Sequence, residues 1–80
     1  MNTEAKIVGF DRFSQVALVE LDIPKLTLPK VREIAQVPDT DPDLLGSYPL
    51  TERQVAQIAD VAQISVDPRG YSYFLEAYEG

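Results

Sequence analysis

The sequence predicts a small α+β domain: a mainly antiparallel sheet with two helices packed on one face, in the order ββα, loop, (β)αβ. Alternating apolar and polar residues mark strands near the start and at the end, while two stretches between them switch to a 3.6-residue apolar period. Clusters of proline, glycine and aspartate separate these runs. Eighty residues make one domain, 1–80. A chain of this size buries about 60% of its unfolded surface, enough for one modest core.

Residues 5–11 (AKIVGFD) and 15–23 (QVALVELDI) read as an antiparallel hairpin around the polar turn DRFS, with Ala17, Val19, Leu21 and Ile23 on one face. Gly9 marks a bulge or a close approach. In KLTLPKVREIAQVP, the residues Leu28, Val31, Ile34 and Ala35 fall on one face of a helix. Thr27 is its expected N-cap, Pro29 is tolerated in the first turn, and Pro38 is its expected stop. PDTDPDLLG then reads as a surface loop and the expected flexible region.

SYPL reads as a short edge strand, because Pro49 has no N–H for a central ladder. TERQ has capping-box spacing from Thr51 to Gln54, and Val55, Ile58, Ala59 and Ala62 recur at helical intervals behind it. QISV is a brief strand candidate and DPRG a turn. In YSYFLEAYE, alternation puts Tyr71, Tyr73, Leu75 and Ala77 on one face and Ser72, Phe74, Glu76 and Tyr78 on the other. Both faces carry bulky groups, which predicts a strand interior to the sheet.

The absence of histidine and cysteine removes Ser-His and Cys-His nucleophiles, ordinary zinc sites and disulfides. The serines have no candidate base, and the glycines are scattered singly, so there is no phosphate loop. No apolar run is long enough to span a membrane, and MNTEAKIVGF has none of the regions of a secretory signal. The expected location is the cytoplasm. A net charge of -6 repels nucleic acid and anionic lipid and attracts basic surfaces, although solubility alone is a second reading of it.

Asp39, Asp41 and Asp43 resemble the first half of a calcium loop, but Leu44 and Leu50 stand where glycine and a bidentate glutamate are needed. No metal or other cofactor is expected. The loop is then either a solvated acidic stretch or a patch aimed at a basic partner. Glu76 and Glu79, three apart on a strand, do not form an acid/base pair. Tyr48, Tyr71, Tyr73 and Tyr78 fill the core or present an interface. The sequence therefore predicts a binding protein rather than an enzyme. The partner-binding candidates are Asp39, Asp41, Asp43, Phe74, Glu76, Tyr78 and Glu79.

IVGFD near the start, GSYPLT before the second helix and YSYFLEAY at the end together resemble a family of small acidic bacterial proteins of largely unassigned function. The resemblance covers most of the chain, and the last motif is the specific one. Such proteins are similar to immunity proteins of polymorphic or contact-dependent toxin systems. That similarity implies a cognate toxin domain, expected to be a nuclease, as partner, and no catalytic residues. The alternative expectation is a small regulatory or adaptor protein that homodimerises or binds another protein.

Overall fold

The computed structural model describes residues 4–42 and 44–78, without the side chains of Glu4 and Tyr78. Strands β1 (Glu4–Phe10) and β2 (Ala17–Ile23) form the expected antiparallel hairpin. Its turn is held by Asp11, whose Oδ1 accepts the backbone N–H groups of Phe13 and Ser14 at 2.9 Å each. Gln15 turns left-handed at φ 59°, and the Asp11 N–H reaches the Val16 carbonyl. The register shifts between Gly9, opposite Val19, and Phe10, opposite Ala17. Leu18 is thus the extra residue of a β-bulge, and Ala17 leaves the alternation it was expected to share with Val19, Leu21 and Ile23.

A 3-10 turn, Lys25–Thr27, leads into α1 (Leu28–Ala35). Thr27 is not the expected side-chain cap. Its backbone is already helical, and its hydroxyl donates to the Pro24 carbonyl at 2.7 Å, closing the preceding turn instead. Pro29 sits in the first turn as expected. The helix ends before Pro38 acts: Gln36 takes a left-handed φ of 61°, and the Val37 N–H donates to the Arg32 carbonyl.

Strand β3 (Tyr48–Leu50) precedes α2 (Glu52–Ala62), which opens with the expected capping box. The Gln54 N–H donates to Thr51 Oγ1, and the Thr51 N–H to Gln54 Oε1 at 2.8 Å. The same glutamine donates from Nε2 to the Ile34 carbonyl, tying α2 to α1. After a left-handed Gln63, QISV does not form the expected strand. Ile64 bonds back to the Ala59 carbonyl and, with Val66, packs on the core as coil. The last strand, β4 (Ser72–Tyr78), pairs with β1 and β3 instead.

The sheet order is β2-β1-β4-β3, and every pairing is antiparallel. β4 is therefore interior and β3 an edge, as the sequence predicts. Ile7 and Leu75 lie opposite each other at the centre. Around them Ala5, Ile23 and Tyr73 from the sheet, Val31 and Ala35 from α1, and Val55, Ile58 and Ala62 from α2 make one core. Leu44 joins them at 1% exposure with a left-handed φ of 54°. The stretch read as a flexible surface loop thus has a buried anchor, and its burial holds a conformation that bulky residues avoid.

Gly9 has a steric reason as well as a place beside the bulge. A Cβ there would lie 2.8 Å from a Tyr73 ring carbon and 3.2 Å from Val19 Cβ. The ring cannot yield easily, since its hydroxyl donates to the Asp67 carbonyl at 2.6 Å and Tyr71 abuts it edge-on. Replacing a strand glycine where there is room stabilises by about 0.4–1 kcal/mol, whereas overpacking costs about 1–3 kcal/mol. Gly9→Ala is predicted to destabilise the protein by about 1–3 kcal/mol in urea denaturation. A raised midpoint would show that the ring is free to move.

Candidate functional site

Among the described residues, both helices lie on the Ile7 and Leu75 side of the sheet. The opposite face is built by the alternate residues: Lys6, Val8 and Phe10 of β1, Glu20 and Asp22 of β2, Pro49 of β3, and Ser72, Phe74 and Glu76 of β4. Val8 is only 3% exposed without belonging to the helix-covered core. Its cross-strand neighbours on that face are Phe74 and Glu20. Phe10 and Phe74 meet edge to face, with ring centroids 5.6 Å apart and planes at 83°. Beyond them the hairpin turn exposes Phe13 at 97%, with Val16 and Leu18 also exposed.

The polar rim of this face is organised. Lys6 Nζ lies 2.7 Å from Glu20 Oε1. Its pKa is raised by that hydrogen bond and by the charges of Glu20, Glu76 and Asp22. Ser47 donates from Oγ to Glu76 Oε2 at 2.8 Å. At the hairpin end a cleft of about 340 Å³ is lined by Phe10, Phe74, Ser47, Asp11, Arg12 and Glu76 among others. Carboxylates outnumber basic groups here, so the face is acidic around an aromatic centre.

The candidate residues divide. Phe74 and Glu76 share the open face, while Asp39 lines, with Lys25, Leu28 and Arg32 among others, a larger, shallow depression along α1. Asp43, Glu79 and the side chain of Tyr78 are outside the described residues. Asp41 is occupied internally. Its Oδ1 accepts the Leu45 N–H at 2.7 Å, and its Oδ2 accepts the Gly46 N–H and the Tyr48 hydroxyl. Arg32 braces the same turn by donating to the Asp41 and Pro42 carbonyls. This carboxylate staples the loop to β3.

Phe10, Val8, Lys6 and Ser47 were not among the candidates, although AKIVGFD carries bulky residues on both faces, as YSYFLEAYE does. Among the described residues no group of three or more metal-ligating side chains comes together, and no helix is long and apolar enough to cross a membrane. Fold and surface together define a small antiparallel α+β domain with one covered and one open sheet face. The chain belongs to the DUF7683 family, domains of unknown function, whose model it matches over residues 4–76. That span runs from the first strand into the last. No curated protein and no solved structure matches it.

The Asp41 staple makes stability depend on pH. The Tyr48 hydroxyl, then the Leu45 and Gly46 N–H groups and the Arg32 charge, hold its pKa below the ordinary value. Its contribution is complete above the unfolded carboxylate value of about 3.9 and is lost as pH falls through the lower folded value. Asp41→Asn is predicted to melt at a lower temperature than wild type at neutral pH and to lose less further stability on acidification. Parallel melting-temperature curves from pH 7 to 2.5 for the two proteins would contradict this role.

Proposed function

We propose that this protein is a cytoplasmic immunity protein that binds and neutralises a cognate bacterial toxin domain, a nuclease, by covering its basic active surface. The observation that carries this reading is the sheet face away from the helices, which presents the Phe10–Phe74 pair with Glu20, Asp22 and Glu76. Nuclease surfaces must be basic to hold phosphates, and an acidic, aromatic face of this kind is complementary to them. Charge steers the encounter, and buried rings supply the anchor. The protein then acts by occlusion, without chemistry of its own.

Size bears on how the surface is used. Three seven-residue strands and one of three residues, at about 3.4 Å per residue and about 4.8 Å spacing, give a face of roughly 400 Å² in plan. That is short of the roughly 800 Å² that a stable interface uses on each partner. The hairpin tip, with Phe13 and Val16, is needed to complete it. A homodimer is the second reading, favoured by β2: it is a seven-residue edge strand with Leu18 exposed on it.

The test is co-purification with the product of the adjacent upstream gene. The complex is predicted to form at low ionic strength and to weaken as salt is raised. Phe74→Ala is predicted to cost at least about 2 kcal/mol of binding, roughly 30-fold, while the variant remains folded. A neighbouring product that is no toxin domain, or one that does not bind at low salt, removes the immunity reading. Light scattering that returns a strict monomer removes the dimer.

A further inference from the structure

The cleft at the hairpin end of the open face is not explained by general charge and area. Phe10 and Phe74 line it together with the acidic residues Asp11 and Glu76, and its volume of about 340 Å³ is at the low end of ligand pockets, about 300–1,000 Å³. It suits one long side chain rather than a whole small molecule. Resting on the binding role proposed above, the geometry points to an arginine side chain of the partner as the group that seats in this cleft, stacked on the phenylalanine rings and paired with Glu76 and Asp11.

Each wall has its own reason. In an edge-to-face pair one ring spends a face on its neighbour's edge, while the other ring keeps its faces out of that contact. Ring faces carry negative charge density and attract a cation stacked on them. Glu76 is oriented by the Ser47 hydroxyl at 2.8 Å, so its carboxylate is held rather than free to sweep. Asp11 Oδ1 accepts the Ser14 and Phe13 N–H groups, which lower its pKa below the ordinary carboxylate value.

The basic residue of the lining, Arg12, directs its Nη2 away, to the Tyr71 carbonyl at 3.5 Å and Glu52 at 4.0 Å. It stands on the ridge shared with the neighbouring depression that Glu52 and Tyr71 line. Lys6, opposite Glu76 in the ladder, is paired with Glu20 at 2.7 Å, so Glu76 and Asp11 are the anionic groups of the lining. A guanidinium fits better than an ammonium, because its plane stacks on a ring while its edge forks onto a carboxylate.

The experiment titrates the isotope-labelled full chain with blocked Gly-Arg-Gly, Gly-Lys-Gly and Gly-citrulline-Gly peptides at low ionic strength, following backbone amide shifts. The arginine peptide is expected to saturate with an affinity of about 1 mM, moving Phe10, Ser47, Phe74 and Glu76 together. The lysine peptide is expected to bind more weakly, and neutral citrulline not at all. Glu76→Gln and Phe74→Leu are each expected to weaken arginine binding at least about fivefold with the rest of the spectrum unchanged. Equal binding of citrulline, shifts scattered over the surface, or an unaltered titration in Glu76→Gln overturns the assignment.

The two proposals fail separately. A toxin complex whose affinity is the same in Glu76→Gln overturns the arginine anchor and leaves the immunity reading standing. Specific arginine binding with no toxin partner supports the cleft and removes the immunity reading.

Discussion

The antiparallel pairing of β1 with β4 is the constraint on which the rest of the molecule depends. It joins the two ends of the described chain and sets Ile7 directly opposite Leu75. β2 hangs on the outer edge of β1, β3 on the outer edge of β4, and both helices pack over the pair. Almost the whole chain must be closed into a loop before that pairing forms, and such long-range contacts are entropically costly to reach. The local devices offset part of that cost. The Asp11 turn, the Thr51–Gln54 capping box and the Asp41 staple each fix a segment through partners a few residues away.

The same pairing makes two unlike surfaces. Side chains alternate, so the register that buries Ile7, Tyr73 and Leu75 under the helices necessarily sends Val8, Phe74 and Glu76 to the far side. Two short helices suffice for one face of the sheet. The far face closes over Val8 with its own side chains and leaves Phe10 and Phe74 partly exposed, with acids around them. Gly9 belongs to both stories. Its missing side chain admits the Tyr73 ring on the core side, and the bulge beside it sets Phe10 against Ala17 at the cleft end of the open face.

Where pattern was the signal, the sequence was legible. The period of two in YSYFLEAYE, the period of 3.6 behind Thr51 and the proline in SYPL correspond to an interior strand, a capped helix and an edge strand. Where two local interactions competed, it was less so. Thr27 could accept from the helix or donate backward to Pro24, and the backbone geometry of the 3-10 turn settled it. Ile64 and Val66 have strand-like spacing, yet the Ile64 N–H turns back to the Ala59 carbonyl and both side chains pack on the core as coil. Of the site, Phe74 and Glu76 were legible from alternation. Phe10 carried the same signal in a shorter run.

By itself the sequence determined the α+β class, the two amphipathic helices, the acidic balance and the exclusion of histidine- and cysteine-based chemistry, because composition and periodicity are local properties. Only the folded structure decided which of the described acids are engaged within the chain. Asp41 reads as one more surface aspartate until the chain folds back and brings Leu45, Gly46 and Tyr48 to its oxygens. Likewise, alternation in β1 and in β4 each implies two faces, but only their pairing in register brings Phe10 to Phe74 and leaves that face open. A strand can state which side chains point together. What covers them depends on how many other elements the chain has, and on which side they cross.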